Sequence, residues 1–285
     1  MPGPRNPTGA SRFALELDGT HAGMPASAAG GDAVAEVVVS PAGPDGIQHK
    51  QLGPVHFTDL VLTCGIGMGK PFWTWLSDTV AGTSASRDGA LRIFDVAGKE
   101  RERVTFSDAV VTEIDLPPLD GSSRDAFRLS VRVTAETVQR GSDAATPAPL
   151  DPRGKQALVS NFSVALDGLD LKRVARVGPL AIRRPPGGSV EIPHLELTLA
   201  EAGSESVVDW HRTFVIDGNN GDSEEKSGSI SLLDPALKQS LLQIDLKGVG
   251  IFALEGTPAA GTDAISRLTA RMYCEQMQLV PGQVA

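Results

Sequence analysis

The chain has 285 residues, of which 41% are apolar and 21% charged, and it carries a formal net charge of −9 at pH 7. That length suits two ordinary domains or one large one, and the apolar share excludes wholesale disorder. The negative balance argues against a general nucleic-acid binder, which needs a broad basic face; Arg183-Arg184 is only a local patch.

Residues 1–12 are rich in Pro, Gly and Asn and read as a flexible arm without the apolar core of a signal peptide. From Phe13 the pattern turns to short strands. Phe13-Ala-Leu-Glu-Leu alternates and stops at an Asp18-Gly19 turn. Strands are expected at Val34–Val39 and, after a Pro/Gly cluster, at Val55–Thr63. Lys70 to Ala81 breaks the rhythm: Phe72, Leu76 and Val80 recur at helical spacing, so a short amphipathic helix fits. Ala90–Phe94, Arg101–Phe106 and Phe127–Ala135 then read as strands, the last with Leu129, Val131 and Val133 on one face. Residues 141–158 carry three prolines and form the clearest linker.

After the linker the sequence begins again. Phe162-Ser-Val-Ala-Leu-Asp-Gly restates Phe13-Ala-Leu-Glu-Leu-Asp-Gly, Trp210 answers Trp75, and Gly228 to Asp234 answers Gly89 to Asp95. Arg128-Leu129, Arg132, Glu136 and Gln139 return as Arg267-Leu268, Arg271, Glu275 and Gln278, each 139 positions later. The shift is 149 at the first strand and 135 at the tryptophan, as expected if loops changed length while strands did not. The expected organisation is a tandem duplication: an arm at 1–12, domains at 13–140 and 159–285, and a linker between them.

The order of these features resembles the tail tube proteins of contractile phages and phage-like injection systems. A first strand ends in Asp-Gly, a strand Phe57-Thr-Asp-Leu-Val-Leu-Thr follows, and Pro71-Phe-Trp-Thr-Trp-Leu-Ser-Asp supplies a Trp-containing helix. Leu91–Asp95, Arg103-Val-Thr-Phe106 with Asp108-Ala109, and a long last strand reaching Glu136 complete the order. The resemblance covers 13–140 well and 160–280 more loosely. It implies a mainly β fold, two tandem β-sandwich or half-barrel domains, each with a short flanking helix. It also implies a ring of six domains around a channel, with strand edges satisfied between neighbours. With two domains in one chain, either three chains form a pseudo-sixfold ring or six chains form two stacked rings.

Partners implied are the chain itself, in a hexameric or pseudo-hexameric ring, and tube, sheath or baseplate proteins, with DNA or protein cargo passing through the lumen. The implied place is cytoplasmic synthesis followed by a virion tail or phage-like particle. No membrane anchor is expected, because no run approaches the roughly 18–20 apolar residues that cross a bilayer. Interface residues expected on this basis are Gly65, Gly67, Gly69 and Lys70 in the loop before the helix. To these are added Arg128, Arg132 and Glu136 and their counterparts Arg267, Arg271 and Glu275, with ion pairs across the subunit joint. If the Phe127–Ala135 strand lies at that joint, Val131→Pro blocks assembly.

Catalytic, cofactor and metal sites are not expected. Gly65-Ile-Gly-Met-Gly-Lys70-Pro71 fails the phosphate-loop pattern, which needs Gly where Cys64 stands and Ser or Thr where Pro71 stands. Asp217 to Gly228 fails the calcium-loop pattern, with Asp222 at position six and Gly228 at position twelve. The five histidines show no metal spacing, and no G-x-S-x-G elbow occurs. Cys64 and Cys274 read as small buried apolar residues, too few for a disulfide framework. Two alternatives stay open: a trimeric baseplate hub joining tube to spike, and a soluble two-domain β-sandwich binding module.

Overall fold

A computed structural model describes residues 12–44, 46–83, 86–141, 157–257 and 266–282. The expected arm, apart from Arg12, and most of the expected linker lie outside the described residues.

The first half contains β1 (Arg12–Leu17), β2 (Thr20–Gly23), β3 (Ser27–Ala29), β4 (Ala33–Val39), β5 (Lys50–Phe57) and β6 (Leu60–Cys64). Helix α1 (Lys70–Val80), β7 (Arg87–Phe94), β8 (Glu100–Leu116), β9 (Leu119–Asp120), β10 (Leu129–Thr134) and β11 (Thr137–Gly141) follow. The second half has β12 (Phe162–Leu166), β13 (Val174–Val177), β14 (Leu180–Arg183), β15 (Leu195–Ala200), α2 (Glu205–His211), a π turn Arg212–Ile216, β16 (Lys226–Leu233), β17 (Ser240–Thr257) and β18 (Arg267–Pro281). The protein is mainly β. The expected strand Val55–Thr63 is two strands, because Thr58 N and Asp32 O bond to each other and turn the chain between β5 and β6. Arg101–Phe106 proves to be the first part of a 17-residue strand.

Each half has the same path of neighbours. In the first it runs β1-β7-β8-β10-β6-β3, and in the second β12-β16-β17-β18-β15-β13. The register agrees as well. Leu17 faces Gly89 in one half and Leu166 faces Gly228 in the other, while Leu62 faces Val131 and Leu197 faces Ala270. The first half adds the hairpin β4–β5, paired only with itself among the described residues.

Local chemistry explains why these long strands bend. β8 pairs with β11 up to Ser107 and with β7 up to Ala109, then leaves that layer and pairs with β10 from Val110 onward. The change of layer occurs at Asp108, in the left-handed region at φ 50°, whose amide donates to Asp88 Oδ1 at 3.0 Å. β17 bends at the matching place, Gly248, with φ 63°. Further on, Thr112 is bulged out against β10 and Phe252 against β18. Gly89 is required by close approach: a Cβ there would stand 2.5 Å from Glu16 O and from the Phe106 ring. At Gly228 it would stand 2.0 Å from Ala165 O.

One core of buried side chains runs through both halves, with α1 contributing Phe72, Trp73, Trp75, Leu76 and Val80 and the α2 region Trp210 and Phe214. Pro71 in the first helical turn loses no intrahelical bond and presets φ. Cys64, at 0% exposure, is pushed up to about 12 by burial, and burial likewise raises Cys274. Burial thus favours the protonated thiol at both positions, and the thiolate is the reactive form.

Two predictions follow from this packing. Gly89→Ala should lower unfolding free energy by about 1–3 kcal/mol in urea, because strand β1 must move away from β7. Neither native cysteine should react with a small disulfide reagent at pH 7.5 until denaturant is added; rapid labelling of folded protein would contradict the burial.

Candidate assembly interface

A strand edge is a row of unsatisfied amides and carbonyls, so the place to look for assembly chemistry is where sheets of different origin meet. Among the described residues there is one such place. β14 pairs with the outer edge of β8, with Leu180 facing Leu116, Ile182 facing Ile114 and Arg183 facing Glu113. A few residues on, β9 crosses to β13, with Leu119 facing Val177 and Asp120 facing Arg176. Both sets share one register. They are a single antiparallel ladder, extended at its ends by Arg184 N donating to Thr112 O at 2.8 Å and Gly121 N donating to Ala175 O at 3.0 Å.

The ladder is interrupted only at Pro117-Pro118, opposite Gly178-Pro179. Proline has no amide to donate, so three of those four residues cannot extend the pairing, and each strand changes sheets there. The two faces of the ladder differ. Ile114, Leu116, Leu119, Val177, Leu180 and Ile182 are all buried and each contributes about 1.5–3 kcal/mol on burial. On the other face Glu113 lies between two cations, 3.1 Å from Arg132 Nε and 2.9 Å from Arg183 Nε.

Burial alone would push the Glu113 carboxyl up, but hydrogen bonds from Arg132 and Arg183 outweigh it and hold the group below its ordinary value of 4.5. Asp115, next on that face, is pushed up by burial and by the Glu113 charge.

The helix end makes a second contact between halves. Ser77 Oγ donates to Leu279 O at 2.7 Å, and Val80 and Ala81 face Lys247, Glu275 and Met277 across a cleft of about 650 Å³.

The expected interface residues divide into two groups. Arg132 stands at the ladder through Glu113, Arg128 lines a hollow of about 340 Å³ beside it with Leu116 and Leu180, and Glu275 lines the cleft. Arg271 occupies the matching place in the second half, 3.1 Å from Glu255 and 3.5 Å from Glu196. Within the chain Arg132 meets Glu113 and Asp59, and Arg271 meets Glu255 and Glu196. Arg267, exposed at the start of β18, faces Ala200 and Thr257.

Gly65, Gly67, Gly69 and Lys70 are not at this ladder. Ile66 and Met68 anchor their loop in the first-half core, Gly69 N donates to Ala22 O at 2.9 Å, and Lys70 is exposed beside Asp18 and Arg87. Val131 is interior, between Ile114 and Leu62, so proline there breaks the first-half sheet and reports on folding.

Glu113 and the two proline switches were not singled out in the sequence, and Arg183 was noted only as part of a local basic patch. The available signal was Pro117-Pro118 between alternating apolar positions, the mark of a strand that leaves its sheet. Among the described residues no group of three or more His, Cys, Asp or Glu is placed to hold a metal ion. No described helix is long and apolar enough to cross a membrane.

Residues 9–139 match the family described as T4-like virus tail tube protein gp19. No curated protein matches the chain. Among solved structures, a chain of the anti-feeding prophage cap (AFP tube terminating cap) is 19% identical with a TM-score of 0.42, over 50% of this chain and 95% of that one. A chain of the PVC sheath-tube complex, an extracellular contractile injection system in the extended state, is 20% identical, with TM-score 0.40 over 46% and 88%. A chain of the PVC sheath/tube terminator is 19% identical, with TM-score 0.42 over 48% and 99%.

The Glu113 arrangement yields a signed pH prediction. A carboxyl held below its unfolded value stabilises fully above that unfolded value, and the contribution is lost as pH falls through the folded value. Thermal melts of wild type should therefore lose stability toward acid more steeply than melts of Glu113→Gln; parallel profiles would remove the ion triad from the joint.

Proposed function

With residues 9–139 matched to the tail tube protein family, we propose that the chain is a structural subunit of a contractile phage tail or phage-like injection system. It is built from two copies of the tail tube unit, 13–140 and 159–285, and it assembles into a tube or tube-end ring with a central channel. The family match carries the reading. Two observations support the duplication: the shared neighbour order and the matching bends at Asp108 and Gly248.

The mechanism is assembly rather than catalysis. Strand edges left open in one unit are satisfied by the next, and the polar face of the ladder, with its Arg132–Glu113–Arg183 row, becomes the channel wall. Opposite charges paired along that wall present little net field to a passing polymer, so DNA or protein cargo moves without a specific binding site. Tube, sheath or baseplate proteins are the partners this reading names, and a phage-like particle is its place. Duplication favours a tube-end position over the bulk tube.

Negative-stain microscopy of the purified chain should show annular particles with a central hole. A monomer at high concentration, measured by light scattering, would overturn the reading in favour of a free-standing two-domain module.

A further inference from the structure

We propose that the open ends of one chain fit the opposite ends of the next, so that three chains close a ring through copies of the joint already formed inside each chain. The inference rests on the ring reading above and names the occupant of each open edge as a second copy of this chain.

The joint inside the chain has a donor side and an acceptor side. The acceptor is the first half: the outer edge of β8 at Thr112–Leu116 takes β14. The matching part of the second half is the outer edge of β17. Gly250–Thr257 pairs on one side with β18, and its other side has no strand partner among the described residues. The correspondence is fixed by register, since Arg132 faces Glu113 and Arg271 faces Ala253, just beyond the bulged Thr112 and Phe252. Glu113 thus corresponds to Ala253.

The donor side repeats too. Arg183 of β14 is bridged to Glu191 on its inner side and paired with Glu113 on its outer side. The shifts of 149 and 135 carry Arg183 and Glu191 back to Val34 and His56, which face each other in the hairpin β4–β5. β4 is therefore the first-half counterpart of β14. Its outer edge is unpaired among the described residues, and Val34, Val37 and Val38 are 41%, 58% and 53% exposed. Apolar side chains exposed in a row along an open edge mark a surface that another strand covers.

The helix-end contact has the same two-sided form. Val80 and Ala81 meet the β17–β18 layer of the second half, and Val80 is only 4% exposed. Their counterparts, Val215 and Ile216, are 40% and 70% exposed. The surface matching their target lies in the first half, around Ser107 on β8 and Glu136 just before β11. Both contacts thus leave a donor and an acceptor at opposite ends of one chain. Such a head-to-tail interface builds closed rings or open filaments. Six units at two per chain close with three chains.

At the joint between chains, Val34 would stand opposite Ala253, an apolar pair where the joint within the chain has Arg183 opposite Glu113. That difference lets the two joints be told apart. Asp32 and Glu255 come opposite one another, each already bonded to an arginine, Arg140 at 2.9 Å and Arg271 at 3.1 Å.

The test is a disulfide trap. Native Cys64 and Cys274 are buried and silent. Val34→Cys with Ala253→Cys, oxidised at native concentration, should give covalent dimers and trimers on non-reducing gels. The native mass should be that of three 29.8 kDa chains, about 89 kDa. Glu113→Cys with Arg183→Cys should cross-link within one chain and leave its mass unchanged, which controls for oxidation. Ile216→Glu should lower the trimer fraction at least tenfold while leaving the circular dichroism spectrum of the folded chain intact. Annular particles of six chains, or rings in which the control pair closes and the Val34–Ala253 pair does not, would overturn this joint and leave the ring reading standing. A monomer in every variant would overturn both.

Discussion

Unpaired strand edges govern this molecule. β8 and β17 are long enough to serve two layers, and once each has bent away from its first neighbour it presents a bare edge of amides and carbonyls. Such an edge costs several kcal/mol if buried dry and invites foreign strands if left wet. Inside the chain the cost is met by one ladder that runs from Thr112 to Gly121 and from Arg184 to Ala175. Its strands change sheets at prolines, so each half completes the sheet of the other. The halves are therefore joined through backbone pairing and buried Leu and Ile side chains, and separating them would expose both.

The bend is what makes the edge available. Asp108 and Gly248 place one residue each in the left-handed region, and the strand beyond them leaves the β7 or β16 layer. Asp108 is held in that conformation from the neighbouring β7 side, where its carboxylate accepts from Ser86 Oγ at 3.2 Å and its amide donates to Asp88 Oδ1 at 3.0 Å. Glycine tolerates it because it has no Cβ. At Gly248 a Cβ would also stand 2.7 Å from Glu275 Cγ, so a larger residue has to displace that exposed side chain as well as hold the left-handed backbone. Two different residues thus solve one backbone problem.

The halves differ where their surroundings differ. The first half seals its β1–β7–β8 layer with buried charges: Arg92 bonds Glu100 at 2.7 Å and Glu16 at 2.9 Å and sits 4.9 Å over the Phe94 ring. Burial raises Glu100, yet the bonds from Arg103 and Arg92 prevail and its carboxyl stays below the ordinary range. The second half has Ser231 and Ala165 at the matching register and no such cluster there. Helix α1 has eleven residues, whereas α2 has seven and runs into a π turn.

The sequence by itself determined the mainly β character, the helix from Lys70 and the two sets of strands repeated at shifts of 149, 135 and 139. Alternation, Asp-Gly turns and helical spacing are local patterns, readable wherever one face of an element is buried. It could not name Glu113 and Arg183 as neighbours across the ladder. That pairing joins residues 70 positions apart. Nor could it tell that Val131 is interior, or that the strand after Phe106 runs on for ten residues to Leu116, since edge and centre have the same alternation. Only the tertiary structure decided which edges are filled and which stay open, because hydrogen-bond satisfaction across sheets depends on where strands end in space and not on the residues that compose them.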